Sequence, residues 1–186
     1  MSDILAFLTW WLLVCLAGWL VWPLLFHMLP RLPERGYALS KACGLLLIGY
    51  VLWILSALGY LRISGGGVLF SAVVVTCLAL RFGNAGGALN WLGKHVRLMF
   101  VVEGVFFVCF AIFAYVRALN PDIVGTEKPM EFAFLNSILR GAEIPPRDPW
   151  LSGYAISYYY FGYVIIGMLT RVSGVLPGVG FNLGVA

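Results

Sequence analysis

Residues 4–28 read ILAFLTWWLLVCLAGWLVWPLLFHM, twenty-five positions without one Asp, Glu, Lys or Arg. About 20 apolar residues in a helix cross the hydrocarbon core of a bilayer, so this stretch is long enough to span it. No basic segment precedes it, no small-residue cleavage site follows, and it is too long for a signal-peptide core. It reads as a membrane anchor. Further apolar runs extend from about Ala42 to Leu61, from Val68 to Phe82 after the Gly65-Gly66-Gly67 turn, from Leu98 to Leu119, and from Tyr154 to Arg171. The last run, Leu176 to Ala186, is too short to cross and reads as the start of another helix. Composition agrees: 62% of residues are hydrophobic, 11% are charged and the mean hydropathy is +0.95, whereas a soluble domain carries about a quarter charged residues.

The expected fold is therefore an all-α integral membrane protein with five transmembrane helices plus the start of a sixth. Residues 1–119 form an N-terminal four-helix membrane segment, 120–153 an acidic loop, and 154–186 the fifth helix with the beginning of the sixth. The net charge of +4 and pI near 9.0 come from bases scattered over short loops. They form no tract with interleaved aromatics, so no nucleic-acid partner is expected. Cys15, Cys43, Cys77 and Cys109 stand alone in separate apolar runs with no CxxC spacing, and read as small buried hydrophobes. Arg31, Arg35 and Lys41 follow the first span, and Arg81, Lys94 and Arg97 surround the end of the third. Only Arg62 lies between the second and third. The positive-inside bias then puts the N-terminus and loop 120–153 on the external face.

That loop holds Asp122, Glu127, Glu131, Glu143 and Asp148 against Lys128, Arg140 and Arg147. Pro129 suits a first helical turn. Met130, Phe134, Leu135, Ile138 and Leu139 then recur on one face up to Gly141, which describes an amphipathic helix lying in the membrane interface. Pro145-Pro146-Arg147-Asp148-Pro149-Trp150 forms a stiff extended return, with Trp150 and Tyr154 as interfacial anchors. Glu127 and Glu131 are four apart at the helix start. Such a pair suits a general base, or a divalent metal site with Asp148 as a third oxygen ligand; the plain alternative is a solvated acidic loop. On a helix, Tyr154, Ser157 and Tyr158 would share a stripe able to line a sugar or phosphate cavity, while Tyr158, Tyr159 and Tyr160 together fan around it. An aromatic belt at the interface explains them equally. Glu103, in FVVEGVFF, is an intramembrane acid and a functional suspect by default. Its structural explanation is pairing near the cytoplasmic end with Arg97 or His95.

Pro121-Asp122-Ile123, Glu127-Lys128-Pro129-Met130-Glu131, Phe134-Leu135-Asn136, Pro145-Pro146, Asp148-Pro149-Trp150-Leu151, Gly153, Tyr158-Tyr159-Tyr160-Phe161-Gly162 and Phe181-Asn182-Leu183 form a long series. It resembles the uncharacterised membrane domain family named for its Tyr-Tyr-Tyr motif, and Leu32-Pro33-Glu34-Arg35-Gly36-Tyr37 resembles that family's start. The family pattern has aspartate where this chain has Glu131. Its layout is similar to multispanning glycosyltransferases of the GT-C class, which use polyprenyl-phosphate sugars and an acidic residue in the first large external loop. The resemblance implies Glu127, Glu131 and Asp148 as catalytic or metal carboxylates, with Mg or Mn as the metal. It implies Lys128, Arg140, Arg147, Tyr154, Tyr158 and Tyr159 as substrate-binding side chains, with Arg140 or Arg147 on the carrier phosphate. Implied partners are the bilayer, a polyprenyl-phosphate sugar, and the rest of a longer polypeptide or other membrane subunits, since 186 residues are few for a complete enzyme of this class. A non-catalytic subunit is the alternative. A transporter is weaker, because no pair of broken helices in matching halves is visible.

Overall fold

The computed structural model describes residues 2–141, 143–151 and 153–186. These residues form seven helices: α1 (Asp3–Met28), α2 (Tyr37–Ala57), α3 (Gly65–Phe82), α4 (Ala85–Leu119), α5 (Lys128–Gly141), α6 (Phe161–Ser173) and α7 (Pro177–Val185). The first four are long and apolar enough to cross a membrane. Side-chain caps start three of them: Ser2 for α1, Ser64 for α3 and Asn84 for α4, each accepting a backbone N–H of its first turn. Such caps satisfy donors that a bilayer cannot solvate.

Small residues bring α1 and α2 together. A Cβ on Gly44 would press into the carbonyl of Ala17, and one on Gly18 would come within 2.9 Å of the Ser40 hydroxyl. In lipid, such close backbone approach substitutes for the hydrophobic drive available in water. Gly44→Leu is therefore expected to destabilise the protein in detergent by about 1–3 kcal/mol, the usual cost of overpacking. A wild-type thermal midpoint in that variant would show that the crossing tolerates separation. The largest core gathers around Val21 of α1, Leu52 of α2, Ile63, Ile138 of α5 and Val164 of α6, all fully buried.

Helix α4 begins thirteen residues before the expected Leu98 and contains one non-helical residue, His95 (φ −125°, ψ 24°). Lys94 and Arg97 consequently lie on a kinked helix rather than in a loop. Only Ala88 and Met99 of α4 are buried; Trp91, Leu92, Val102 and Phe110 are partly buried against the other helices, and much of its remaining apolar surface is exposed.

The C-terminal third departs from the expected layout. Helix α5 exists with the predicted face, and Phe134, Leu135, Ile138 and Leu139 are its buried residues. That face packs on protein: Ile138, Leu135 and Leu139 surround Gly167 of α6, and Phe132 meets Phe181 of α7 edge to face at 5.7 Å. Burying a side chain such as Leu135 or Ile138 contributes about 1.5–3 kcal/mol, so α5 is fixed on the bundle. The expected span from Tyr154 is also corrected. Tyr154–Tyr160 is not helical; Asp148 N–H donates to the Tyr154 carbonyl at 2.9 Å and Ile156 N–H to the Pro146 carbonyl at 2.9 Å. These bonds pair the segment with the proline-rich return, so α6 starts only at Phe161. Its 13 residues rise about 20 Å, short of the roughly 30 Å hydrocarbon core. The tyrosine stripe on a helix therefore does not form. Gly174, at φ 67°, turns the chain into α7. There Gly180 and Gly184 let α7 close onto Thr170 and Ile166 of α6.

Candidate functional site

The loop entering α5 bends through Gly125 (φ 78°) and Thr126 (φ 50°), both left-handed. This turn delivers Glu127 to the helix start, where its carbonyl accepts the Glu131 N–H at 2.9 Å. The positive end of the helix dipole favours carboxylates here. Glu127 is exposed and Glu131 half-buried. The Tyr158 hydroxyl donates to Glu127 Oε2 at 3.5 Å, and Tyr163, in the first turn of α6, faces the Glu131 carboxylate. One turn further along α5, the buried Phe134 is a hub. Its ring lies 5.7 Å from Tyr158, 5.8 Å from Trp150 and 5.9 Å from Tyr163. Tyr159 packs on Tyr158 at 5.3 Å. The result is a patch in which two carboxylates sit above a floor of phenols and an indole. Phenols stack against apolar faces and hydrogen-bond through the hydroxyl, which is chemistry suited to polyol substrates.

The negative charge of Glu127 raises the pKa of the Tyr158 phenol, because a second anion beside a carboxylate is disfavoured. Glu127→Gln is expected to move the Tyr158 phenol back down, toward the ordinary tyrosine range. Ultraviolet difference titration, with Tyr158→Phe to isolate the signal, reads this. An unchanged titration would place the two groups apart in solution.

Other expected site residues are distributed differently. Asp148 Oδ1 accepts the backbone N–H groups of Trp150 at 2.8 Å and Leu151 at 2.9 Å, so it shapes the return and positions Trp150. Among the described residues, no three His, Cys, Asp or Glu side chains gather as a metal site, and the Glu127–Glu131–Asp148 triad is not assembled. Arg147 pairs with Glu143 at 3.9 Å, both exposed, a contact worth little in stability. Arg140 sits at the far end of α5, about 13 Å along the axis from Glu131. Lys128, next to Glu127 in sequence, is half-buried, while Tyr154 and Tyr159 are exposed. The sequence reading missed Phe134 as the hub, and Tyr163. Phe134 follows Glu127 and Glu131 at i, i+4, i+7 and was legible on that basis; Tyr163 carries no such signal.

A second constellation is buried among α1, α2 and α4. Lys41 Nζ lies 2.7 Å from Glu103 Oε1, to which the Tyr37 hydroxyl also donates, and Cys15 Sγ donates to Oε2 at 3.4 Å. The ammonium stands over the rings of Tyr37 and Phe106 at 5.0 and 5.1 Å. Glu103 is thus paired, but not with Arg97 or His95. His95 instead stacks on Trp91 at 4.2 Å, at the kink. Lys41 is a partner because α2 starts at Tyr37 rather than Ala42, which places Lys41 in its second turn.

The model of a family described as an uncharacterized membrane protein, DUF2298, matches residues 47–186. The chain belongs to the DUF2298 family. The DUF2298 match takes in the whole carboxylate–aromatic patch and Glu103. It begins after Cys15, Tyr37 and Lys41, which complete the buried pair from outside the matched region. No curated protein and no solved structure matches the chain.

Proposed function

We propose that the patch around Glu127 and Glu131 is the reaction site of a glycosyl-transfer module that uses a polyprenyl-phosphate sugar at the membrane face bearing loop 120–160. The observation that supports this reading is the carboxylate pair at the start of α5, backed by the Phe134, Trp150, Tyr158 and Tyr163 rings. Glu131, the less exposed acid, accepts the proton of the acceptor hydroxyl as that oxygen bonds to the sugar C1. The bond from C1 to the phosphate oxygen breaks, and the polyprenyl phosphate departs with the electron pair. Lys128, next to Glu127 in sequence, offsets charge on the departing phosphate. Glu127, held by Tyr158, orients substrate hydroxyls. A positioned general base contributes about 10²- to 10⁴-fold in rate.

The test uses membranes carrying the native full-length polypeptide, supplied with radiolabelled polyprenyl-phosphate sugar. Wild type is compared with Glu127→Gln and Glu131→Gln at equal expression. Transfer that collapses in either variant supports the reading, and transfer unchanged in both sinks it.

A second reading, a non-catalytic membrane subunit, is favoured by α4. Val101, Val105, Val108 and Ile112 form an exposed apolar face suited to another helix. Co-purification of a membrane partner with a protein inactive in the transfer assay would favour it.

A further inference from the structure

Between the first turn of α1 and the last turns of α4 and α7 lies a cavity of about 390 Å³, within the range of small-ligand pockets. Its walls are largely apolar, including Ile4, Phe7, Ala114 and Leu183, and two charged side chains also line it, Asp3 and Arg117. The Arg117 guanidinium is fixed. Its Nε donates to Asn182 Oδ1 at 3.1 Å, Nη2 donates to the same oxygen, and Asn182 Nδ2 donates in turn to the Pro121 carbonyl at 3.0 Å. Among the described residues, Nη1 of Arg117 makes no hydrogen bond and no ion pair joins Asp3 to Arg117. One cation and one anion thus line an apolar hollow at the membrane face where α4 leads into the loop.

We propose that this cavity holds a zwitterionic membrane lipid with a primary ammonium headgroup. The phosphate sits on the free edge of Arg117, the ammonium on the Asp3 carboxylate, and part of an acyl chain fills the hollow. Guanidinium recognises phosphate with directed, charge-assisted hydrogen bonds, and the preset Arg117 rotamer lowers the ordering cost of binding. The two opposite charges favour a zwitterion over a purely anionic lipid, which would seat its phosphate on Arg117 but bring no cation to Asp3. This site is independent of the glycosyl-transfer reading and of Glu127 and Glu131.

The test reconstitutes the protein in nanodiscs of equal phosphatidylethanolamine and phosphatidylglycerol, with a trace of polyprenyl phosphate, and counts retained lipids by native mass spectrometry. Phosphatidylethanolamine is expected to be retained several-fold over phosphatidylglycerol. Ala114→Phe, which fills the cavity from a position outside the Arg117–Asn182–Pro121 hydrogen bonds, should abolish that excess. Asp3→Asn should shift the balance toward phosphatidylglycerol. A wild-type ratio equal to the bilayer, a ratio unmoved in both variants, or preferential retention of polyprenyl phosphate would each overturn the proposal. Circular dichroism and thermal midpoints of both variants confirm that a lost adduct is not a lost fold.

Discussion

Glu131→Gln is expected to lower sugar transfer in membranes by about 10²- to 10⁴-fold, the usual contribution of a positioned general base. Substrate affinity should change much less, because the amide keeps the size and hydrogen-bonding capacity of the acid but cannot take a proton. A fall in kcat without a matching rise in KM therefore separates base chemistry from a binding role. Glu131→Asp is a second probe. It retains the acid but withdraws it by one methylene, and catalysis is sensitive to displacements of about 1 Å, so intermediate activity is expected. Glu127→Gln should act more weakly. Its carboxylate is exposed and held by Tyr158 at 3.5 Å, which fits an orienting part. If Glu127→Gln proved as damaging as Glu131→Gln with the same kinetic pattern, the division of labour would have to be reversed. Equal, undiminished transfer in both would leave the carboxylates to packing and topology.

The second large effect lies in the bilayer, on stability. Glu103→Leu should destabilise the protein by about 3–5 kcal/mol, because it strands the Lys41 ammonium in a buried, low-dielectric site. Lys41 is 8% exposed and Glu103 22% at the side chain, so water offers the abandoned charge little relief. The same change removes the acceptor used by Tyr37 and Cys15. Lys41→Met should cost a similar amount by leaving the carboxylate unpaired. The double variant, Lys41→Met with Glu103→Leu, should recover much of the loss, since replacing both partners of a buried pair by apolar groups is often neutral or stabilising. Thermal unfolding in detergent measures all three. Additive losses in the double variant would show that the two residues act separately. Because α4 has little other buried surface, the single variants should also loosen α4 before the remaining bundle, which site-directed labelling along α4 reads as raised accessibility at Met99.

How much was legible in the chain differs by region. The α1 span could be read directly, because a helix of length 26 with no charge in its body leaves no alternative to a membrane crossing. Helix α5 was legible too, since Phe134, Leu135, Ile138 and Leu139 repeat at helical spacing and Pro129 marks the start. Its partner was not, because an apolar face looks the same whether lipid or Gly167 covers it. The tyrosine run was misread for a related reason. Local propensity permits a helix through Tyr154–Tyr160, and only the pairing of Tyr154 with Asp148 and of Ile156 with Pro146 of the return fixes it as extended.

The sequence by itself determined the solvent this protein lives in, the presence of four helices long and apolar enough to cross it, and the clustering of acids at one helix start. Those follow from apolar length, charge density and near-neighbour spacing, all of which are local quantities. Only the tertiary structure decided which charges meet. Glu103 lies 62 positions from Lys41 and Phe134 gathers rings from three separated segments, and nothing in the intervening sequence encodes those distances. They arise because Gly18 and Gly44 let α1 and α2 close, and because Gly167 lets α5 settle on α6. Backbone approach sets the geometry within which the polar groups find one another.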